Sequence, residues 1–236
     1  MTDRTEVAII AAMEREIAPL IRGWEMILGP RYRFFEHGNV IAFAGGIGPE
    51  AARAAADTVL TFRQPSLIIS AGFAGALRES MPVGTVVVPT KVLAAGNEQT
   101  FRIEGGEGTL VSVDSIVDPA EKRNLATKYA ADVVDMEAAA VAEVARNRGV
   151  RFAAVKAVSD SARFELPPLS RFIDADGEFQ TMRFVAHVAF RPPLWPALGR
   201  LKRNAEKAAK ALCAYLTRIQ RAADVDQLFV GDRVTH

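Results

Sequence analysis

The chain has 236 residues, half of them hydrophobic, and carries 29 Lys and Arg against 28 Asp and Glu, a formal net charge of +1. That length suits one good-sized core, and the charge balance supplies no global electrostatic case for nucleic acid as a partner. A single cysteine, Cys213, excludes an internal disulfide framework and a cysteine-based zinc cluster, while His37, His187 and His236 lack metal-ligand spacing.

In chain order, Val7 to Ala12 reads as a buried strand, and Met13-Glu14-Arg15-Glu16-Ile17 opens a helix carrying Ile17, Leu20 and Ile21. Tyr32–Glu36 and Val40–Ala44 form a hairpin pattern around His37-Gly38-Asn39. Gly45-Gly46-Ile47-Gly48-Pro49 precedes a helix from about Glu50 to Phe62, with Pro49 suited to its first turn. Ser66–Ser70 reads as a strand running into Ala71-Gly72-Phe73-Ala74-Gly75, and Gly84–Pro89 as another. Residues 95–108 read as a loop, and Thr109–Val113 resumes strand character. Asp118-Pro119-Ala120-Glu121 is a strong helix start. Val133–Met136 is a strand meeting an alanine-rich helix without a turn, and Phe152–Val158 is a further strand. The last third reads as mostly helical, interrupted at Leu166-Pro167-Pro168 and Arg191-Pro192-Pro193. Strands alternating with helices imply a single-domain, three-layer α/β/α fold with a mixed, mainly parallel sheet. The domain is expected to span residues 1–220, with residues 221–236 as a tail.

Three of these strands end in a carboxylate: Glu14 after the first, Glu137 after Val133–Met136, and Asp160 after Phe152–Val158. Strand carboxyl ends are where open α/β sheets gather ligand groups. Each acid also has a plainer reading. Glu14 and Glu16 serve equally as first-turn acids favoured by the helix dipole, and Asp160 serves as a helix cap. The glycines at 45, 46 and 48 do not match a dinucleotide fingerprint, so tight turns account for them as well as close approach of a ligand does. The same holds for Gly72 and Gly75.

Taken together, Ala12-Met13-Glu14-Arg15-Glu16, Gly46-Ile47-Gly48, Ser70 to Gly75, Val134 to Ala140 and Lys156 to Asp160 resemble the nucleoside phosphorylase superfamily. Their order and spacing are similar to its methylthioadenosine/S-adenosylhomocysteine nucleosidase branch, over about residues 6–162. The resemblance implies that Asp160 protonates purine N7 as the base leaves, and that Glu14 orients or deprotonates the attacking water. It also implies that Glu137 binds the ribose hydroxyls with Met136 under the sugar. Ile116 and Val117 would flank the base, although the aromatic residue often stacked there is missing. Ser159 and Gly72 complete the substrate-binding set, and Gly46, Ile47 and Gly48 the nucleophile or phosphate site. Neither metal nor organic cofactor is implied, and inorganic phosphate stands beside water as the co-substrate. An acid at N7 must hold a proton near neutral pH, so Asp160 is expected in a buried setting.

The last third carries a basic amphipathic helix from about Ala197 to Ile219. Leu198, Leu201, Ala205, Ala208, Leu212, Tyr215 and Ile219 form its apolar face, opposite Arg200, Lys202, Arg203, Lys207 and Lys210. Packing on the sheet is the plain reading; resting on lipid headgroups is the alternative. This region, with Asp118 to Arg123, resembles the hopanoid-associated phosphorylases. That resemblance implies adenine release from adenosylhopane, with methylthioadenosine/S-adenosylhomocysteine and then futalosine as alternative substrates. A non-catalytic nucleotide-binding module is the reading from another class. The polar start at residues 1–6 is unlike a signal peptide, and no apolar run approaches ~20 residues. A cytoplasmic homo-oligomer, with peripheral membrane contact through the basic helix, completes the expectation.

Overall fold

The structure is a computed structural model that describes residues 7–29, 31–103, 106–164, 180 and 195–221. The helix interruptions at 166–168 and 191–193 and the tail at 222–236, with His187 and His236, lie outside the described residues. Among the described residues, eleven strands form one mixed sheet. β1 (Val7–Ala11), β4 (Val40–Ala44), β5 (Leu67–Ala76) and β11 (Arg151–Asp160) pair in parallel as its centre. β2 (Glu25–Leu28) and β3 (Arg33–His37) extend one side antiparallel beyond β4. On the other side stand β10 (Val133–Asp135), β9 (Thr109–Ser112), β7 (Lys91–Ala94) and β8 (Thr100–Arg102), while β6 (Val86–Val87) borders β11.

The central strands are apolar on both faces because helices cover both. Along β1, Val7, Ile9 and Ala11 point into one core, and Ala8 and Ile10 into the other, as alternation along a strand requires. α1 (Glu14–Ile21) and the last described helix, α5 (Trp195–Arg221), contribute Ile17, Leu20, Leu212 and Leu216 to the first core. α2 (Pro49–Phe62) packs with the outer side of α4 (Ala138–Asn147) in the second, through alanines that allow close approach. α3 (Pro119–Tyr129) starts at Asp118, whose carboxylate accepts from the Ala120 and Glu121 amides while Glu121 reaches back to the Asp118 amide. This is the capping box expected there.

Four expectations are corrected. The Ala71–Gly75 run is the second half of β5 and not a turn, because β11 pairs with it residue for residue through Ala74 and, past one register shift, at Gly75. β6 keeps two residues of the expected Gly84–Pro89 strand, and β8 lies inside the expected loop at 95–108, paired with β7. β2 is an unexpected edge strand, with Met26 and Leu28 exposed.

One topological detail places the site. β11 occupies one edge of β5 along its length, so β1 and β10 share the other. β1 pairs with Leu67–Ser70 and β10 with Gly75–Ala76. Between them, at residues 71–74, that edge has neither neighbour, and the sheet splits there.

Candidate active site

Successive helix positions turn about 100°, so Glu14 and Glu16 point about 200° apart and only one can face the sheet. The structure places Glu16 inside. Its carboxylate accepts from the Ala12 amide (3.0 Å) and the Met13 amide (3.1 Å) where β1 becomes α1, and from the Phe73 amide of β5 (3.3 Å). Glu14 instead pairs with Arg33 at 2.9 Å on the surface, its side chain 44% exposed, and does not reach the cavity described below. Of the two acids, Glu16 is the one on the cavity wall. Periodicity alone does not rank the two, since Glu14 flanks Ile17 and Glu16 precedes Leu20 by one turn. The usable signal was Glu16's third helical position, from which a carboxylate returns to the cap amides. Burial pushes the Glu16 carboxyl above the usual range, although the Met13 amide, Lys156, the Phe73 amide and Arg15 counteract it. Gly72, expected to touch substrate, makes room for this acid. At φ +151, a Cβ on Gly72 would lie 3.1 Å from Glu16 Oε2.

The β10–α4 junction holds two acids with different tasks. Asp135 is 5% exposed and structural: Lys156 Nζ lies 2.8 Å from Oδ2, the Ala138 amide donates to the same oxygen at 3.0 Å, and Ser112 Oγ donates to Oδ1. Lys156 also donates to Ser70 Oγ at 3.1 Å. Desolvation disfavours charge on Lys156, but Asp135, Glu137 and Glu16 together outweigh it and raise its pKa above the ordinary value. Glu137 caps α4. Its Oε1 accepts from the Gly48 amide at 2.9 Å, which joins the Gly46-Ile47-Gly48 loop to the β10–α4 junction. Desolvation, then Asp135 and Glu16, push the Glu137 carboxyl up to about 7 against the pull of Lys156 and the Gly48 amide. The amides of Gly46 and Gly48 are committed to Ala12 O and Glu137, so this loop presents Ile47 to the cavity and not a row of amides for an anion.

Asp160 ends β11 just beyond a register shift between Val158 and Asp160, the kind of bulge that re-aims a side chain. It is 4% exposed. Ser159 Oγ donates to Oδ1 at 2.8 Å. Lys122, to which the sequence assigns no role of its own, donates to Oδ2 from α3.

The acids Glu16, Asp135, Glu137 and Asp160, with Lys122, line one cavity of about 950 Å³ at the split in the sheet. Glu16, Glu137, Met136, Asp160 and Ser159 stand on its wall, with Ile116 and Val117 placed together as expected. Phe73, the aromatic residue on this wall, comes from β5, not from the segment around Ile116. The far wall is α5, through Leu198, Leu201, Ala205 and Ala209, with Lys202 and Lys210 at the rim. The apolar face of α5 is thus divided: Ala208, Leu212 and Ile219 pack on the sheet, and the first turns face the cavity. Among the described residues no group of three or more His, Cys, Asp or Glu could hold a metal ion, and no helix is long and apolar enough to cross a membrane.

The family model of the phosphorylase superfamily matches residues 6–107 and 103–219 of this chain. The 5′-methylthioadenosine/S-adenosylhomocysteine nucleosidase of Bacillus pumilus is 27% identical over 203 residues, which cover 66% of this chain and 86% of that protein. Among solved structures, the apo 5′-methylthioadenosine nucleosidase of Arabidopsis thaliana superposes with a TM-score of 0.71 at 17% identity, covering 95% of this chain and 99% of that one. Futalosine hydrolase of Helicobacter pylori gives a TM-score of 0.66 at 19% identity over 91% and 98% of the two chains. These structural likenesses carry the α/β/α fold.

Proposed function

The chain belongs to the phosphorylase superfamily of enzymes, and from that premise we propose that it hydrolyses the N-glycosidic bond of a 5′-substituted adenine nucleoside, releasing adenine. The observation that carries this reading is one cavity with a buried acid, Asp160, on one side and the carboxyl groups of Glu16 and Glu137 on another. Breaking the bond places positive charge on the ribose and negative charge on the purine. Asp160 delivers a proton toward the base, Glu137 accepts from the ribose hydroxyls over Met136, and Glu16 takes the proton of the attacking water. Burial raises the affinity of Glu16 for that proton, which suits a general base. Ile116, Val117 and Phe73 bound the base.

Water is favoured over phosphate on electrostatic grounds. The buried ammonium of Lys156 is shared among Glu16, Asp135 and Glu137, and the Gly46 and Gly48 amides are spent on Ala12 O and Glu137, so this side of the cavity offers a phosphate dianion little to bind. Similarity to the Bacillus pumilus enzyme supports methylthioadenosine and S-adenosylhomocysteine as the substrate class. A second reading, adenosylhopane, is favoured by one feature. The apolar wall of α5 and about 950 Å³ of space approach the upper end of the ~300–1,000 Å³ typical of ligand pockets, leaving room for a large apolar 5′ group. In that reading Arg200, Arg203 and Lys207 on the exposed side of α5 face lipid headgroups, and the enzyme works as a homo-oligomer at the membrane surface.

The test is base release from methylthioadenosine, adenosylhopane and futalosine, each with and without phosphate. Phosphate-independent adenine release is expected. Release only with phosphate would refute the hydrolytic reading, and no release from any of the three would refute the function. Asp160→Asn is expected to lower kcat by ~10²–10⁴-fold, and full turnover in that variant would remove Asp160 from the acid role.

A further inference from the structure

Lys122 occupies the first turn of a helix on which no other residue is buried, yet it is 1% exposed. A lysine ordinarily extends its ammonium into water from such a position. Here the chain turns inward, donating to Asp160 Oδ2 and, at 2.9 Å, to the Ser161 carbonyl oxygen. Both Lys122 and Asp160 stand on the cavity wall. β5 is shaped around the pair: a Cβ on Gly75 would lie 3.0 Å from Asp160 Oδ2 and 3.2 Å from Lys122 Cε. Burying an ammonium and a carboxylate together costs several kcal/mol per ion before their attraction returns it. Nothing about capping α3 calls for that arrangement, because Asp118 and Glu121 already cap the helix.

We propose that Lys122 is a positioning residue that supplies the proton Asp160 passes to the departing purine. The inference rests on the nucleoside-hydrolysing reading above. An aspartate held as the anionic half of a buried ion pair has no proton of its own to give, whereas the ammonium beside it does. As the C1′–N9 bond breaks, its electron pair passes to the purine; Oδ2 takes a proton from Lys122 and hands it to N7, which leaves Lys122 a neutral amine and Asp160 again a carboxylate. Water adds to C1′, losing its proton to Glu16. Solvent then returns one proton to Lys122 and removes one from Glu16, so one water is consumed per turnover. Ser159 holds the other carboxylate oxygen and keeps Oδ2 turned to Lys122.

The test compares two leaving groups. Adenine needs a proton to depart; nitrophenolate, from 4-nitrophenyl β-D-ribofuranoside, does not. Lys122→Arg keeps a cation beside Asp160, but a guanidinium does not release its proton in a protein. The expected result is a fall of ~100-fold or more in the ratio of adenine release to nitrophenol release, with no additional fall when Asp160→Asn is added. Lys122→Gln, which keeps a donor of ordinary size, gives the same ratio where the arginine is too large to fold in. An unchanged ratio in the folded variant, with both rates intact or both reduced alike, would overturn the relay and leave Lys122 a packing residue. Wild type that releases no adenine would overturn the relay and the proposed function together; active wild type with an unchanged variant ratio overturns the relay alone.

Discussion

Replacing Glu137 with Gln should make the protein more stable as its binding of nucleosides weakens, and the gain should appear only at higher pH. In the fold, burial and the neighbouring acids Asp135 and Glu16 push this carboxyl from an ordinary 4.5 up to about 7. Between those two values the unfolded chain has released the proton and the folded chain still holds it, so the Glu137 contribution to stability falls as pH rises. Below about 4.5 both states are protonated and the penalty is absent; above about 7 it is fully present. That difference corresponds to at most about 3 kcal/mol, and to less where cavity water solvates the partly open side of Glu137. Gln keeps an oxygen for the Gly48 amide and carries no charge, so the stability difference between variant and wild type should grow by about 2–3 kcal/mol from pH 4.5 to 8. For a chain of this size that is on the order of 4–12 °C in Tm. Urea unfolding of both proteins across that range, without ligand, measures it. Parallel stability curves for the two proteins would refute the placement of a protonated carboxyl at Glu137.

Three further outcomes are expected. Glu16→Gln should lower kcat for adenine release by ~10²–10⁴-fold, and Glu14→Gln by less than about twofold; the reverse order in steady-state kinetics would restore Glu14 to the water. Ala205→Phe narrows the α5 wall of the cavity, and competition kinetics should then show the preference for short over long apolar 5′ substituents rising by about tenfold or more. An unchanged preference would place the 5′ group elsewhere. Gly45→Ala puts a Cβ 2.4 Å from Ala55 Cβ and 3.3 Å from Ile10 Cγ2, pushing α2 off the sheet, and should cost about 1–3 kcal/mol in urea unfolding.

Much of the fold was legible because it is written in local patterns. Apolar runs such as Val7–Ala11 and Phe152–Val158 are buried on both faces, and the alanines of α2 and α4 repeat with a helical period. The exceptions are short or glycine-bearing pieces. β2, β6 and β8 are too brief to carry a period, and the Ala71–Gly75 run resembles a turn until β11 is seen beside it. The strand-end acids Asp160 and Glu137 were legible from the strand pattern, whereas Met136, Ile116 and Val117 were legible only through the family resemblance; all five line the cavity.

By itself, the sequence determined the alternation of strands and helices, the capped start at Asp118 and the strand-end acids, since each follows from bonds and contacts within a few residues. Only the tertiary structure decided which of Glu14 and Glu16 enters the cavity, through amides that include one 57 residues away. It alone turned Lys122 from a solvated helix lysine into the partner of an acid 38 residues on, and the first turns of α5 from a free apolar face into a cavity wall. A helix period states which residues share a face. What that face meets depends on strands and amides brought from elsewhere in the chain, and the energies that decide it, burial of a charge and satisfaction of its hydrogen bonds, exist only once they have arrived.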